Sequence, residues 1–292
     1  MKIYNFTQYY IKEGNGKNMK TGINAWSIRS EADFEETFFK ASEAGFDGIE
    51  LNVDRGGAHA LTLDTTDAEL DLIRSLSEKY SLPVSSISTS LWSGKLGEGT
   101  VESLNYSERL MKAQLKFAKK LGAVGILIVP GGMSPTVSLA MAYKNSLAAL
   151  KALAPMAKEY GLYVGVENVW NNFFTSPFDM ARFVDEAGEP YCAYFDLGNV
   201  LAFARPEDWI EVLGERIKLA HIKGFRLHSG FNAGGDWCDI IDSRIDWNRS
   251  KNALKAIGYD GFVSAEVSKF DPAKSYEEYY RSTREQIDAI TK

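Results

Sequence analysis

The sequence predicts an α/β fold, a closed (β/α)8 barrel. Three observations carry this reading. Short apolar runs and amphipathic segments alternate from residue 20 onward. The apolar runs number eight. A glycine or turn residue often stands where an amphipathic segment gives way to the next apolar run. Strand and helix in alternation imply parallel strands joined by crossover helices. Eight such units in a chain of 292 residues match the usual size of a closed barrel.

The elements follow in order. Residues 1–19 are polar, aromatic and Gly/Asn-bearing, and read as an appendage before a barrel spanning 20–292. "TGINAWSI" (21–28) is the first strand and 31–44 the first amphipathic helix. "FDGIELNV" (46–53), helix 66–80, "LPVSSISTSL" (82–91) and helix 102–121 come next. "AVGILIVP" (123–130), helix 137–160, "YVGVENV" (163–169) and "CAYFDLGN" (192–199) continue the series. "IKLAHIKGF" (217–225), "FVSAEVSKF" (262–270) and helix 275–291 close it. The junctions "EAGFDG", "KLGAVG", "EYGLYV" and "AIGYDG" place glycine where a helix end takes positive φ. The competitor is an open doubly wound sheet. That fold usually shows a Gly-rich phosphate turn after its first strand, and "WSIRSEADF" has none.

Composition narrows the function. Apolar residues make up 45% and charged residues 25%, as in soluble globular enzymes. A net charge of −6 argues against nucleic-acid binding, which needs a basic face. No run approaches the ~18 apolar residues of a membrane span, and the N-terminus lacks the apolar core of a signal peptide. The two cysteines, Cys192 and Cys238, form no CxxC pair, so a reducing cytoplasm is expected.

Active sites of such barrels lie at the C-terminal ends of the strands. Side chains alternate along a strand. In "YVGVENV", Val164 and Val166 share one face and Gly165 and Glu167 the other. "FVSAEV" sets Val263, Ala265 and Val267 against Ser264 and Glu266. The mixed face is expected inside. Glu167, Asp196, His221 and Glu266 then converge from four successive strands. Three carboxylates that close repel unless a cation neutralises them. A lone strand histidine is ordinarily a hydrogen-bonded core residue, but four such residues in register point to one divalent metal. The oxygen-rich donor set favours Mn²⁺ or Mg²⁺, with Co²⁺ or Zn²⁺ also compatible. Glu50 shares the inward register outside this set; a structural role and a substrate contact are both open to it. Asn168 and Asn199 are candidate donors to substrate hydroxyls. Lys223 is a candidate to orient a ligand or substrate oxygen, or to form a salt bridge. Trp170, Phe173 and Phe174 line a pocket or cover the barrel top.

At these strand ends the sequence resembles the xylose isomerase-like TIM-barrel superfamily, on "FDGIEL", "VGVEN", "FDLGN", "HIKGF", "IDWNRSKNALKAIGYDG" and "SAEV". "DLGN" is most similar to the pentulose-phosphate 3-epimerase branch. The resemblance implies a metal-dependent sugar or sugar-phosphate isomerase or epimerase acting through an enediolate. Its metal ligands match Glu167, Asp196, His221 and Glu266, and Glu167 and Glu266 become an acid/base pair. It also implies a small-molecule partner and allows a homo-oligomer. A dehydratase or lyase of an inosose or polyol uses the same strategy and is the alternative. A non-catalytic sugar-binding member would be expected to lose one of the carboxylates. A DNA-repair endonuclease is disfavoured by charge, by three histidines in all, and by Asn199 where such relatives carry histidine. If the substrate is phosphorylated, a cation or helix N-terminus must meet the phosphate; Arg29, Lys95 and Arg226 lie in the expected strand-end loops. The stretch 226–239 looks like an insertion that reshapes the pocket.

Overall fold

The computed structural model describes residues 18–229 and 234–292. Most of the expected appendage, 1–17, lies outside them. The local signals in the sequence act where they stand. Asp33 accepts a hydrogen bond from Glu36 N–H and starts α1 (Phe34–Glu43). Capping boxes at Thr66 and Thr100 start α2 (Asp67–Lys79) and, after the short α3 (Lys95–Glu98), α4 (Val101–Leu121). Ser138 and Ser176 cap α5 (Leu139–Tyr160) and α6 (Pro177–Ala187). Then come α7 (Pro206–Leu213), α8 (Trp247–Ala256) and α9 (Tyr276–Thr291). Such caps satisfy N–H groups that the first turn leaves free. The junction glycines Gly45, Gly122, Gly161 and Gly258 all have positive φ.

Eight parallel strands close the barrel. They are β1 (Lys20–Asn24), β2 (Gly48–Asn52), β3 (Val84–Ser88), β4 (Gly125–Ile128), β5 (Tyr163–Glu167), β6 (Tyr191–Asp196), β7 (Ile217–Ile222) and β10 (Phe262–Ala265). Around the ring the order is β1-β10-β7-β6-β5-β4-β3-β2, with β1 paired to both β2 and β10. The open sheet is thereby excluded. No helix among the described residues is long and apolar enough to cross a membrane.

The strands are shorter than the apolar runs. After Asn24 the first run turns into a 3-10 helix, Ala25–Ser27. The seventh breaks after Ile222, and Gly224–Leu227 (β8) pairs antiparallel with Gly235–Cys238 (β9). The suspected insertion is therefore a hairpin over the barrel mouth, and its residues 230–233 lie outside the described ones. Glu266 sits one residue past β10. Loops that cover a barrel end are apolar too, so hydropathy alone does not mark where pairing stops.

Most buried side chains pack between the barrel and its helices. A second, smaller cluster of Leu127, Tyr194 and Leu219 fills the barrel interior. Gly125 and Gly165 make room for it: a Cβ on either would lie 3.1 Å from Leu219 Cδ1. This plug is the floor on which the strand-end side chains stand. Leu219→Ala is expected to open a cavity there and to cost about 2–5 kcal/mol, read as a lowered midpoint in denaturant unfolding; an unchanged midpoint would refute the role given to the plug.

Candidate active site

The strand ends bring Glu167, Asp196, His221 and Glu266 together, with one potential ligand atom of each within 4.8 Å of the others. The backbone fixes two of them. Asp196 Oδ1 accepts from Gly198 N–H at 2.7 Å and Asn199 N–H at 3.0 Å. The loop that ends β6 thus clamps one oxygen and leaves Oδ2 facing the cluster. His221 is fixed from behind: its Nε2 donates to Glu50 Oε1 at 2.6 Å. Its Nδ1 then faces Glu167 Oε1 at 3.2 Å and Glu266 Oε2 at 3.4 Å. A carboxylate behind an imidazole fixes the tautomer and orients the other nitrogen toward a metal.

Glu50 is fully buried, and Asn24, Ser86 and Tyr194 donate to its two oxygens beside His221. The expected substrate contact is corrected on this point. Glu50 lies beneath the imidazole, with no edge on the pocket, because β2 places it lower in the barrel. Asn168 is corrected likewise. Its amide accepts from Asp196 N–H at 2.8 Å and donates to Asp196 O at 2.9 Å. It therefore ties β5 to β6 and offers the pocket nothing. Asn199 does reach the pocket wall, while its amide donates to Asn168 O at 2.8 Å.

Lys223 enters the cluster itself. Its Nζ lies 2.7 Å from Glu266 Oε2 and 2.8 Å from Asp196 Oδ2. The Asp196 contact is an ion pair without hydrogen-bond alignment, and Oδ2 has no directed donor. Only glycine at 198 lets the lysine pass, since a Cβ there would lie 2.2 Å from Lys223 Cγ.

The charges do not balance. Glu50, Glu167, Asp196 and Glu266 face two cations, His221 and Lys223. Burial alone would raise the Glu50 value, but His221 and the hydroxyls of Ser86 and Tyr194 hold it at about 2. Burial also opposes the His221 charge, yet Glu50 and Glu167 hold its value well above that of an ordinary imidazole. Burial again works against Lys223, and Asp196, Glu266 and Glu167 outweigh it and raise its value. Glu167 is left over, and burial pushes it up to about 7 despite His221. The site is short of positive charge, and a divalent ion fits the deficit and the donor set of three carboxylates and one imidazole.

A 270 Å³ cavity stands above the cluster, with Glu167, His221, Lys223 and Glu266 on its floor and Trp26, Trp170 and Trp237 on its walls. Trp170 stacks on Trp237 at 4.6 Å and meets Phe225 edge-on at 5.0 Å, and its indole N–H donates to Asn199 O at 2.6 Å. A 310 Å³ space sharing Trp26, Trp237, Lys223 and Glu266 extends toward Phe270. Phe173 and Phe174 are buried against Phe183 and cover the barrel rather than line the site. Sequence reading missed Trp26, Trp237 and Tyr194. Tyr194 was legible, two residues before Asp196 on the same inward face. The two tryptophans sit on loops, where no periodicity marks them. The loop cations are engaged elsewhere: Arg29 with Glu36 at 2.6 Å, Lys95 with Glu98 at 2.7 Å and Arg226 near Asp242 at 3.7 Å.

Between pH 4.5 and about 7 the folded Glu167 keeps a proton that an ordinary carboxyl has lost. Its contribution to folding is therefore greatest below 4.5 and declines as pH rises to about 7. An incoming cation must expel this proton and the one on His221 Nδ1. Calorimetric titration with Mn²⁺ at about pH 6 in two buffers of different ionisation heat is expected to show proton release, and affinity is expected to rise with pH. A heat independent of buffer would contradict this.

Comparison with known proteins fits the geometry. A family model described as a xylose isomerase-like TIM barrel matches residues 38–288. The uncharacterized protein MJ1311 of Methanocaldococcus jannaschii is 23% identical over 288 residues, covering 92% of each chain. Among solved structures, D-allulose 3-epimerase from Methylomonas sp. has a TM-score of 0.73 at 19% identity, over 94% of this chain and 98% of that one. The 3-keto-D-glucoside 4-epimerase YcjR from E. coli has a TM-score of 0.71 at 17% identity, over 93% and 98%. These structural likenesses establish the fold. With the family model covering most of its length, this chain belongs to the xylose isomerase-like TIM-barrel family.

Proposed function

We propose that this chain is a metal-dependent epimerase or isomerase of ketoses in which Glu167 and Glu266 exchange a substrate proton. One observation carries the reading: four ligand side chains within 4.8 Å of one another, short of positive charge, under a cavity walled by indoles. The donor set favours Mn²⁺ or Mg²⁺. When bound, such an ion supplies the positive charge that stabilises the enediolate formed beside a carbonyl.

The chain's own residues supply the rest. Asp196 and His221 are locked by their hydrogen bonds and serve as fixed ligands. Glu167 and Glu266 are separated by two strands, β6 and β7, and both reach the cavity floor. One carboxylate takes the proton from carbon and keeps it, and the other, entering protonated, gives its own solvent-exchangeable proton to the opposite face, which inverts that centre. Return by the same carboxylate to the neighbouring carbon gives aldose–ketose isomerisation instead. Each such group typically contributes ~10²–10⁴-fold. Lys223, once released from Asp196 and Glu266, can donate to a substrate oxygen. Trp26, Trp170 and Trp237 bring apolar ring surface to the cavity, where the C–H side of a sugar can meet it.

The test is incubation of the Mn²⁺-loaded protein with free and phosphorylated ketopentoses and ketohexoses in deuterated water. Interconversion with deuterium at the inverted carbon, abolished by chelation, is expected. Glu266→Gln is expected to lower kcat by ~10²–10⁴-fold. A product lacking one water would point to the dehydratase. No turnover of any sugar by the loaded protein would refute the proposal.

A further inference from the structure

We infer that the four-ligand cavity is the reacting half of a longer site, and that an adjoining cleft seats a second, uncharged glycosyl unit of the substrate. The inference rests on the ketose reading for the reacting half. The cleft has a volume of 800 Å³ and shares Ser90, Val129 and Val169 with the reacting cavity. The two smaller spaces, of 310 and 270 Å³, lie over Glu167, His221 and Glu266. A monosaccharide would leave the larger cleft to water.

One side of this open cleft is held in place by direct loop contacts. Its far side is formed by the loops around α3 and after β4, which touch backbone to backbone. A Cβ on Gly132 (φ +117°) would lie 2.3–2.7 Å from Gly94 backbone atoms, and one on Gly97 would lie 2.3 Å from Gly131 O. Asn145, on α5, donates to Gly97 O at 2.9 Å and fastens the contact. Preformed, partly apolar walls with a few polar groups are the mark of ligand pockets.

Its chemistry selects the occupant. Ser93, Thr100, Ser134 and Thr136 bring hydroxyls, of which Thr100 also caps α4 and Ser134 pairs with Thr136, and Val129 and Val137 bring apolar surface. Hydroxyls both donate and accept, as a sugar's own hydroxyls require, while the valines meet its C–H face. Among the described residues no Lys or Arg lines the cleft. Glu98 does line it, and its partner Lys95 is 2.7 Å away. A phosphate would find no cation of its own and would face a carboxylate. A neutral glycosyl group fits both facts.

Calorimetry on the Mn²⁺-loaded protein tests this. The probes are D-fructose, fructose carrying a hexosyl group on O4 or on O6 (lactulose, isomaltulose), and D-fructose 6-phosphate. At least one disaccharide is expected to bind at least ~10-fold more tightly than fructose, and the phosphate no more tightly than fructose. Thr136→Trp, which fills the cleft from an exposed position, is expected to cut that advantage to below ~2-fold; Ser134→Trp repeats the test on the same loop, and retained Mn²⁺ binding shows that each variant is folded. Equal or weaker binding of both disaccharides, tighter binding of the phosphate, no binding of any sugar, or an advantage surviving in folded variants overturns the inference. The advantage without any sugar interconversion leaves the cleft standing and refutes the epimerase reading. Fructose turnover without the advantage does the reverse.

Discussion

Crowded negative charge at the mouth of the barrel is the constraint on which the site depends. Four carboxylates lie around one imidazole and one ammonium, nearly all out of water. Glu50 and His221 form one neutral unit 2.6 Å apart. Lys223 bridges Asp196 and Glu266. Glu167 has no cation of its own, and its value near 7 records the imbalance. Breaking buried charges away from their partners is costly, so such a surplus is tolerated where another cation completes it. A divalent ion would complete it and free Lys223 from its two carboxylates.

The fold explains why these residues meet. Inward register on β5, β6 and β7, and its continuation past β10, sends the four side chains up over the Leu127–Tyr194–Leu219 plug. The loop after β6 clamps one Asp196 oxygen with two N–H groups, and Glu50 holds the imidazole by its Nε2. Both devices turn Asp196 Oδ2 and His221 Nδ1 toward the cluster, where Lys223 Nζ meets the first at 2.8 Å and Glu167 Oε1 the second at 3.2 Å. The same register puts Glu50, and the opposite face of the chain puts Asn168, into supporting positions. They hold the ligands still and do not touch what the ligands hold.

Much of this was legible in the sequence, for physical reasons. Period-two alternation put Glu167, His221 and Glu266 inward, and junction glycines marked the helix ends. Alternation gives the face but not the height along the barrel axis, so Glu50 looked like a pocket residue when it lies beneath the pocket; Asn168, next to Glu167, falls on the opposite face and bonds the Asp196 backbone. Loop contributions were not legible. Trp26 and Trp237 reach the site by way of a 3-10 turn and a hairpin, neither of which leaves a periodic signature. The engagement of Lys223 with two carboxylates was open from sequence, because a lysine stem spans distances that register does not fix. The 800 Å³ cleft rests on contacts between two loops, and only coordinates show it.

The central claim is that one divalent ion completes the charge of this cluster. Anomalous diffraction at the manganese edge, on crystals grown with Mn²⁺, tests it most directly. The account expects one peak bounded by Glu167, Asp196, His221 Nδ1 and Glu266, with the Lys223 ammonium moved off Asp196. No peak there, and Lys223 still seated between Asp196 and Glu266, would contradict it.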